Sequence, residues 1–345
     1  MRYRLFGNSG LRVSELALGA MTFGEDWGWG ADQSESKKIF DAYVAAGGNF
    51  LDTANVYTNG SSEKFLGELV GKDRERFVIA TKYTSTMRPD DPNGGGNHRK
   101  SLVQSLEASL RRLGTDYIDL FWVHAWDGMT PTEEIVRALD DVVRAGKVLY
   151  VGISDAPAWV VTEANAIAAL RGWSRFVGLQ IPYSLVERTV ERELLPMARA
   201  HGLAVTTWGG LGGGALTGKY EAGKPRPKGH RLSEGPWGDA ALTDRALAIA
   251  GVVREVATEL DRTPSQVALA WVLAQRSRAG IIPILGARKV SQLHDNLGAL
   301  ELQLPATALE RLDAASAIEL GFPHDFLAQV RPVIHGATTV ERSQP

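Results

Sequence analysis

Tyr117-Ile-Asp-Leu-Phe-Trp-Val-His124 is a short apolar run that stops at a titratable side chain. Two earlier stretches, Asn49-Phe-Leu-Asp52 and Phe77-Val-Ile-Ala-Thr-Lys82, do the same. Each has the length of a buried strand and is apolar on consecutive residues, as expected when both faces of a parallel sheet are covered. A charge is expensive to bury singly, so its repeated placement at strand ends points to a shared use.

Working outward, strand-like runs alternate with longer segments of helical spacing. Leu16-Ala-Leu-Gly19 precedes a helix over Ser34 to Ala46, with Ile39, Phe40, Tyr43 and Val44 on one face. Phe50-Leu51 precedes Glu63 to Val70. Val78-Ile79-Ala80 precedes His98 to Leu113, where Leu102, Leu106, Leu110 and Leu113 form a stripe. The run ending at His124 leads to Thr132 to Ala145, with Pro131 placed for a helix start. Further strands are expected at Val148 to Ile153, Phe176 to Ile181, Leu203 to Thr207 and Ile281 to Leu285. Their helices are expected at Trp159 to Leu170, around Glu191 to Ala200, and at Val290 to Leu300.

Eight such units favour an α/β (β/α)8 TIM barrel in one domain over 1–330, followed by a tail over 331–345. The rival, a doubly wound sheet, calls for Gly-x-Gly-x-x-Gly after the first strand. Gly24, Gly28 and Gly30 instead lie among Trp27 and Trp29 as a loop. Two stretches rich in Gly and Pro, Tyr83 to Asn97 and Tyr220 to Ala240, read as long loops. From Glu319 onward no period is clear, and Phe322, Phe326 and Leu327 suggest that the first part of the tail packs on the body.

Composition narrows the function classes. With 38 basic and 40 acidic residues the net charge is -2, so no bulk field attracts nucleic acid or an anionic membrane. Cysteine is absent, which excludes disulfides, thiolate metal sites and a Cys nucleophile, and the seven His residues show no zinc spacing. No apolar run approaches the ~20 residues of a membrane span. The N-terminus lacks the apolar core of a signal peptide, so a cytoplasmic location is expected.

On a barrel, strand C-terminal ends share one mouth. Asp52, Lys82 and His124 would end strands two, three and four, with Tyr57 in the loop after strand two. Neighbouring strands are ~4.8 Å apart, so the four side chains can meet. A free phenol has a pKa near ~10, which a neighbouring ammonium lowers. Lys82 would be that ammonium, Asp52 would hold it, and His124 would orient a carbonyl oxygen. Tyr57 would exchange the proton as general acid, or as base in reverse. Taken singly, Asp52 reads equally as a turn cap, Lys82 as a solvated lysine, His124 as a core histidine and Tyr57 as a loop tyrosine. The constellation sets them apart.

Asn49-Phe-Leu-Asp52-Thr-Ala-Asn-Val-Tyr57, Ser61-Ser-Glu63-Lys-Phe-Leu-Gly67, Ala80-Thr-Lys82 and Val123-His124 together resemble the aldo-keto reductase family. The likeness runs from about Tyr3 to Phe326. It implies a (β/α)8 barrel, NADPH as cofactor, an Asp52, Tyr57, Lys82 and His124 tetrad, and hydride transfer to a small-molecule aldehyde or ketone.

The resemblance also implies a cofactor shelf. Gly19-Ala20-Met21 would border it beside Asp52. Ser154 and Gln180 would hold the nicotinamide carboxamide, although the family's usual Asn after the Ser is here Asp155. A carboxylate accepts hydrogen bonds but donates none. Trp208 would stack on the nicotinamide, a place for which Tyr183 is the weaker candidate. Gly209-Gly-Leu211-Gly212-Gly-Gly214, where the family more often has Ser-Pro-Leu, would approach the pyrophosphate as a mobile loop. Gly286, Arg288, Gln292 and Asn296 would receive the adenosine 2′-phosphate and adenine at a helix N-terminus, assisted by Lys219, Arg231 or Lys289. Phe23, Trp27, Trp29, Trp126 and Trp237 would form an aromatic wall for an apolar or aromatic carbonyl compound or a sugar face. Trp126-Asp-Gly-Met-Thr-Pro131 is similar to a branch of the family with broad aldehyde and ketone substrates. Other readings are a redox-sensing regulatory subunit of the same fold and, more weakly, a barrel hydrolase or isomerase.

Overall fold

The computed structural model describes residues 1–227, 232, 236–336 and 338, with only the backbone at 236 and 237. Its centre is a closed barrel of eight parallel strands. Ahead of it, β1 (Tyr3–Leu5) and β2 (Arg12–Ser14) pair as an antiparallel hairpin. The barrel strands are β3 (Ala17–Gly19), β4 (Phe50–Asp52), β5 (Val78–Tyr83), β6 (Ile118–Val123), β7 (Val148–Ser154), β8 (Phe176–Pro182), β9 (Ala204–Trp208) and β10 (Ile281–Gly286), and β10 closes on β3. All eight lie where the apolar runs predict them.

Successive residues of a strand point to opposite faces, and here the two faces bury different partners. Phe50, Val78, Ala80, Leu120, Trp122, Ala204 and Ile282 fill the barrel interior with Phe6 and Val13 from the hairpin region. Phe6 lies edge-on to Phe50 at 5.6 Å and to Trp122 at 6.3 Å, and so stops the barrel from its N-terminal end. Leu51, Ile79, Phe121, Val123, Val151, Ile153 and Leu179 face outward into the layer beneath the helices. Stepping two residues on along the interior row leads from Phe50 to Asp52, from Ala80 to Lys82 and from Trp122 to His124. The same step leads from Gly152 to Ser154, from Gly178 to Gln180 and from Thr206 to Trp208.

The helices form the outer ring. Gln33–Ala45, Ser61–Val70, Arg99–Leu113, Thr132–Arg144, Ala158–Arg171 and Leu194–His201 follow the expected segments closely. The Leu stripe of Arg99–Leu113 is buried as anticipated. Gly67 has a packing reason: a side chain there would come within 2.9 Å of the Leu113 Cα.

Several features were not anticipated, the helix Ala306–Ser316 among them, and three bear on the site or the tail. The hairpin is one. The second is the pair of helices Asp244–Glu259 and Pro264–Ala274 inserted between β9 and β10, the latter started by a Thr263/Gln266 capping box. The third is the helix His324–His335, which crosses residue 330. It corrects the reading of the tail: Phe322 is 85% exposed and Phe326 52% exposed, so neither is packed on the body. What ties the chain down here lies earlier, where Arg188 donates to Asp313 and Ser316 and Arg245 donates to the Ser316 carbonyl. Among the described residues no helix is long and apolar enough to cross a membrane.

Candidate active site

Lys82 is fully buried at the top of the barrel interior and donates to three oxygens. They are Asp52 Oδ1 at 2.5 Å, the Thr53 carbonyl at 2.7 Å and the Tyr57 hydroxyl at 3.3 Å. Its Nζ also lies 4.8 Å from the Tyr57 ring centre. The second Asp52 oxygen accepts from Gln180 Nε2 at 2.9 Å, so the carboxylate is held on both sides. His124 stands edge-on to Tyr57 with ring centres 5.7 Å apart, and its Nδ1 is buried without a partner among the described residues. The four residues expected to meet do meet.

Tyr57 reaches this position through an uncommon turn. Thr58 (φ 44°) and Asn59 (φ 52°) both lie in the left-handed region, which costs a non-glycine residue roughly 1–2 kcal/mol. Local bonds offset this: Thr58 Oγ1 donates to the Phe23 carbonyl at 2.6 Å and accepts from Ser62 N at 3.0 Å.

The electrostatics refine the expected roles. Burial raises the Tyr57 phenol above its ordinary value, and the Lys82 charge, which pulls it down, does not fully offset this. The expectation of a net lowering is therefore corrected: desolvation of the phenolate outweighs one ammonium. Burial alone would lower Lys82, but Asp52 and then Tyr57 outweigh it and hold the ammonium above the usual lysine range. Burial, with repulsion from Lys82, pushes His124 down to about 3, so at neutral pH it is a neutral imidazole.

The opposite side of the mouth is built differently. Trp208 ends β9 and is 42% exposed, which rules out plain core packing, whereas Tyr183 is buried and bonded to Glu191. The Trp208 indole N–H donates to Asp155 Oδ1 at 3.3 Å. Ser154 and Gln180 are buried, and Gln180 is already bonded to Asp52 and to Thr206 Oγ1. Gly19 sits beside Asp52 and Gly286 in register, Ala20 is buried, and Met21 is half-buried.

The glycine stretch after Trp208 is a folded turn, not an open loop. Gly212 N donates to the Gly209 carbonyl and Gly214 N to the Leu211 carbonyl, while Ala215 and Leu216 are buried. Gly209 (φ 71°) has space for a side chain but a backbone that disfavours one. Beyond it, Lys219 and Arg288 lie close enough to repel one another. Burial and then Arg288 lower the Lys219 pKa.

The helix after β10, Val290–Leu297, does not offer its first N–H freely: Val290 N is taken by Glu35 Oε1 at 2.7 Å. Gln292 accepts from Arg288 N, and Asn296 donates to the Gly286 carbonyl, so both shape this loop.

Of the aromatic wall, Trp27 and Trp29 lie 5.7 Å apart, and Trp27 sits edge-on to Tyr57 at 6.4 Å. Trp126 packs edge-on against Trp159. Phe23 is corrected: it is fully buried and forms the floor beneath the loop instead of an exposed wall. Arg231 and the Trp237 side chain lie outside what the structure describes.

Supporting residues escaped the sequence reading. Ser62 Oγ bonds Thr53 Oγ1 and the Ala20 carbonyl, joining the exits of β3 and β4. Glu63, fully buried, accepts from Thr81 Oγ1 and Arg112 Nε, anchoring the strand residue before Lys82. Asn97 and Asp127 bond each other's backbone N–H and clamp the loop after β5 to the loop after β6. The signal for Ser62 and Glu63 lay in the quoted Ser-Ser-Glu motif, but polarity alone did not say which strand each would meet.

The Aldo/keto reductase family model matches residues 15–317. The chain is 37% identical to the aldo-keto reductase ausK of Emericella nidulans, over 98% of this chain and 87% of the relative. It is 38% identical to an aryl-alcohol dehydrogenase of Pestalotiopsis microspora (94% and 85% covered). It is also 38% identical to the norsolorinic acid reductase stcV of Emericella nidulans (92% and 82% covered).

Proposed function

The chain belongs to the aldo/keto reductase family and is an oxidoreductase, and on that footing we propose that it reduces an aldehyde or ketone to an alcohol using NADPH, with Tyr57 delivering the proton. The observation that carries this reading is the Lys82 ammonium bridging the Asp52 carboxylate and the Tyr57 hydroxyl.

NADPH supplies the hydride when bound; the chain's own residues supply position and the proton. Tyr57, neutral because burial raises its pKa, donates its O–H proton to the carbonyl oxygen of the substrate. Lys82 stabilises the phenolate left behind, and Asp52 keeps Lys82 charged and fixed. Neutral His124 holds the substrate oxygen in line with the phenol by a hydrogen bond.

On the other wall, Trp208 offers an exposed aromatic face to the nicotinamide, and Ser154 and Gln180 border it. The Gly209 to Gly214 turn leaves room for the pyrophosphate. Lys219 and Arg288, close enough for one cation to lower the pKa of the other, suit the extra phosphate that distinguishes NADPH from NADH. Trp27 and Trp29 beside Tyr57, and relatives named for an aryl alcohol and for norsolorinic acid, favour an aryl carbonyl substrate.

The test is NADPH oxidation followed across a carbonyl panel. Aryl aldehydes and aryl ketones should be turned over faster than small aliphatic ones. NADPH binding without turnover of any carbonyl would favour a cofactor-sensing role; failure to bind NADPH would remove the reading.

A further inference from the structure

Asp155 follows β7 directly and adopts φ 45°, a left-handed conformation that Asp and Asn both tolerate. Its backbone is held from two sides, donating to the Gln180 carbonyl at 3.3 Å and accepting from Trp126 N at 3.4 Å. Its side chain accepts the Trp208 indole N–H. An amide oxygen could accept that bond equally well, so neither the backbone nor the indole requires a carboxylate. What Asp adds over Asn is a negative charge.

That charge forms no ion pair among the described residues. Burial raises the Asp155 carboxyl above its ordinary value, against the Trp208 bond, the Lys82 ammonium and a bond with the Ser154 side chain, and Lys82 itself is already bonded to Asp52, Thr53 and Tyr57. The indole bond fixes the carboxylate against Trp208 at the mouth, and after burial, Lys82 and Asp52 it also acts on the Tyr57 phenol, raising it.

We propose that Asp155 sets the balance of affinity between oxidised and reduced nicotinamide cofactor, its carboxylate gripping the edge of Trp208 and facing a ring that alternates between cationic and neutral forms. The inference rests on the nicotinamide site proposed above. When the hydride passes from the ring to the carbonyl carbon, and the Tyr57 proton to the carbonyl oxygen, the ring is left with a positive charge. An anion nearby stabilises that state and leaves the neutral ring nearly unaffected. Asp155 thereby favours reduction of the carbonyl and tightens retention of the oxidised cofactor.

The experiment is direct calorimetric titration of the purified protein and its variants with NADP+ and with NADPH. Asp155→Asn keeps the indole bond and suits the left-handed backbone, so it should fold as the parent does. It should weaken NADP+ about five- to tenfold and change NADPH less than about twofold, allowing for solvent screening of the charge. Trp208→Phe removes the indole bond but keeps the charge, and should weaken both forms together with their ratio preserved. If Asp155→Asn weakens both forms equally, or leaves the ratio unchanged, the inference is overturned. If the parent binds neither form, the proposed function itself fails, a result distinct from an unchanged ratio.

Discussion

The two sides of the barrel mouth handle charge in opposite ways. On the β4 to β6 side, Lys82 has three oxygen partners, Asp52 is held by Lys82 and Gln180, and Tyr57 is locked in by the turn that Thr58 anchors. On the β9 to β10 side, Arg288 repels Lys219, and Trp208 keeps an open face. Apart from His124 Nδ1, the first side is bonded within the chain, so its geometry exists before any ligand arrives. On the proposed reading, the second side keeps its cations for an anionic guest. Proton transfer needs fixed distances, while cofactor binding needs groups that bond better to the ligand than to one another.

Replacements on each side test this contrast. Tyr57→Phe should have the largest effect, lowering kcat by about 10²- to 10⁴-fold while leaving the NADPH dissociation constant near the parent value. Normal turnover would remove the phenol from the reaction. Lys82→Met strips the buried carboxylate of its cation and should destabilise the fold by about 3–5 kcal/mol, read by denaturant unfolding. A variant as stable as the parent would mean that the proton side is not held together as its bonds suggest.

On the open side, Arg288→Ala should weaken NADPH by about 10-fold and NADH far less, with unfolding stability unchanged, since a charged hydrogen bond contributes about 1.5–3 kcal/mol. Equal losses for both cofactors would take Arg288 out of the phosphate role. The smallest expected effect is a titration. His124 has its pKa lowered from 6.5 to about 3 in the folded protein. The unfolded chain therefore binds a proton that the folded chain refuses between those values. The stability tied to His124 is complete above about pH 6.5 and declines as the pH falls toward about 3. Its imidazole NMR signals should show no titration step near pH 6.5; a step there would place the ring in open water.

Much of this was legible in the chain because strands and helices announce themselves locally. The buried runs marked all eight barrel strands and the Leu102 to Leu113 stripe one of the outer helices, and the quoted motifs pointed to Asp52, Tyr57, Lys82 and His124. The hairpin Tyr3–Leu5 with Arg12–Ser14 is too short to carry a period, and its reason for existing is Phe6 filling a barrel end. The capping box Thr263-Pro-Ser-Gln266 was readable but lay in the unread span between the seventh and eighth strands. The tail misled because Phe322 and Phe326 are apolar yet exposed, and hydropathy does not specify whether a surface meets them.

By itself, then, the sequence determined the alternation of strand and helix and the titratable residues that end the strands, because periodicity and polarity are properties of neighbours along the chain. Only the tertiary structure decided that Asp52, Lys82, His124, Ser154, Gln180 and Trp208 all stand on the interior row, since that parity depends on how eight strands register around a closed barrel. It also decided the sign of the Tyr57 shift. Burial and the Lys82 charge pull the phenol in opposite directions, and their balance is set by packing from residues distant in sequence.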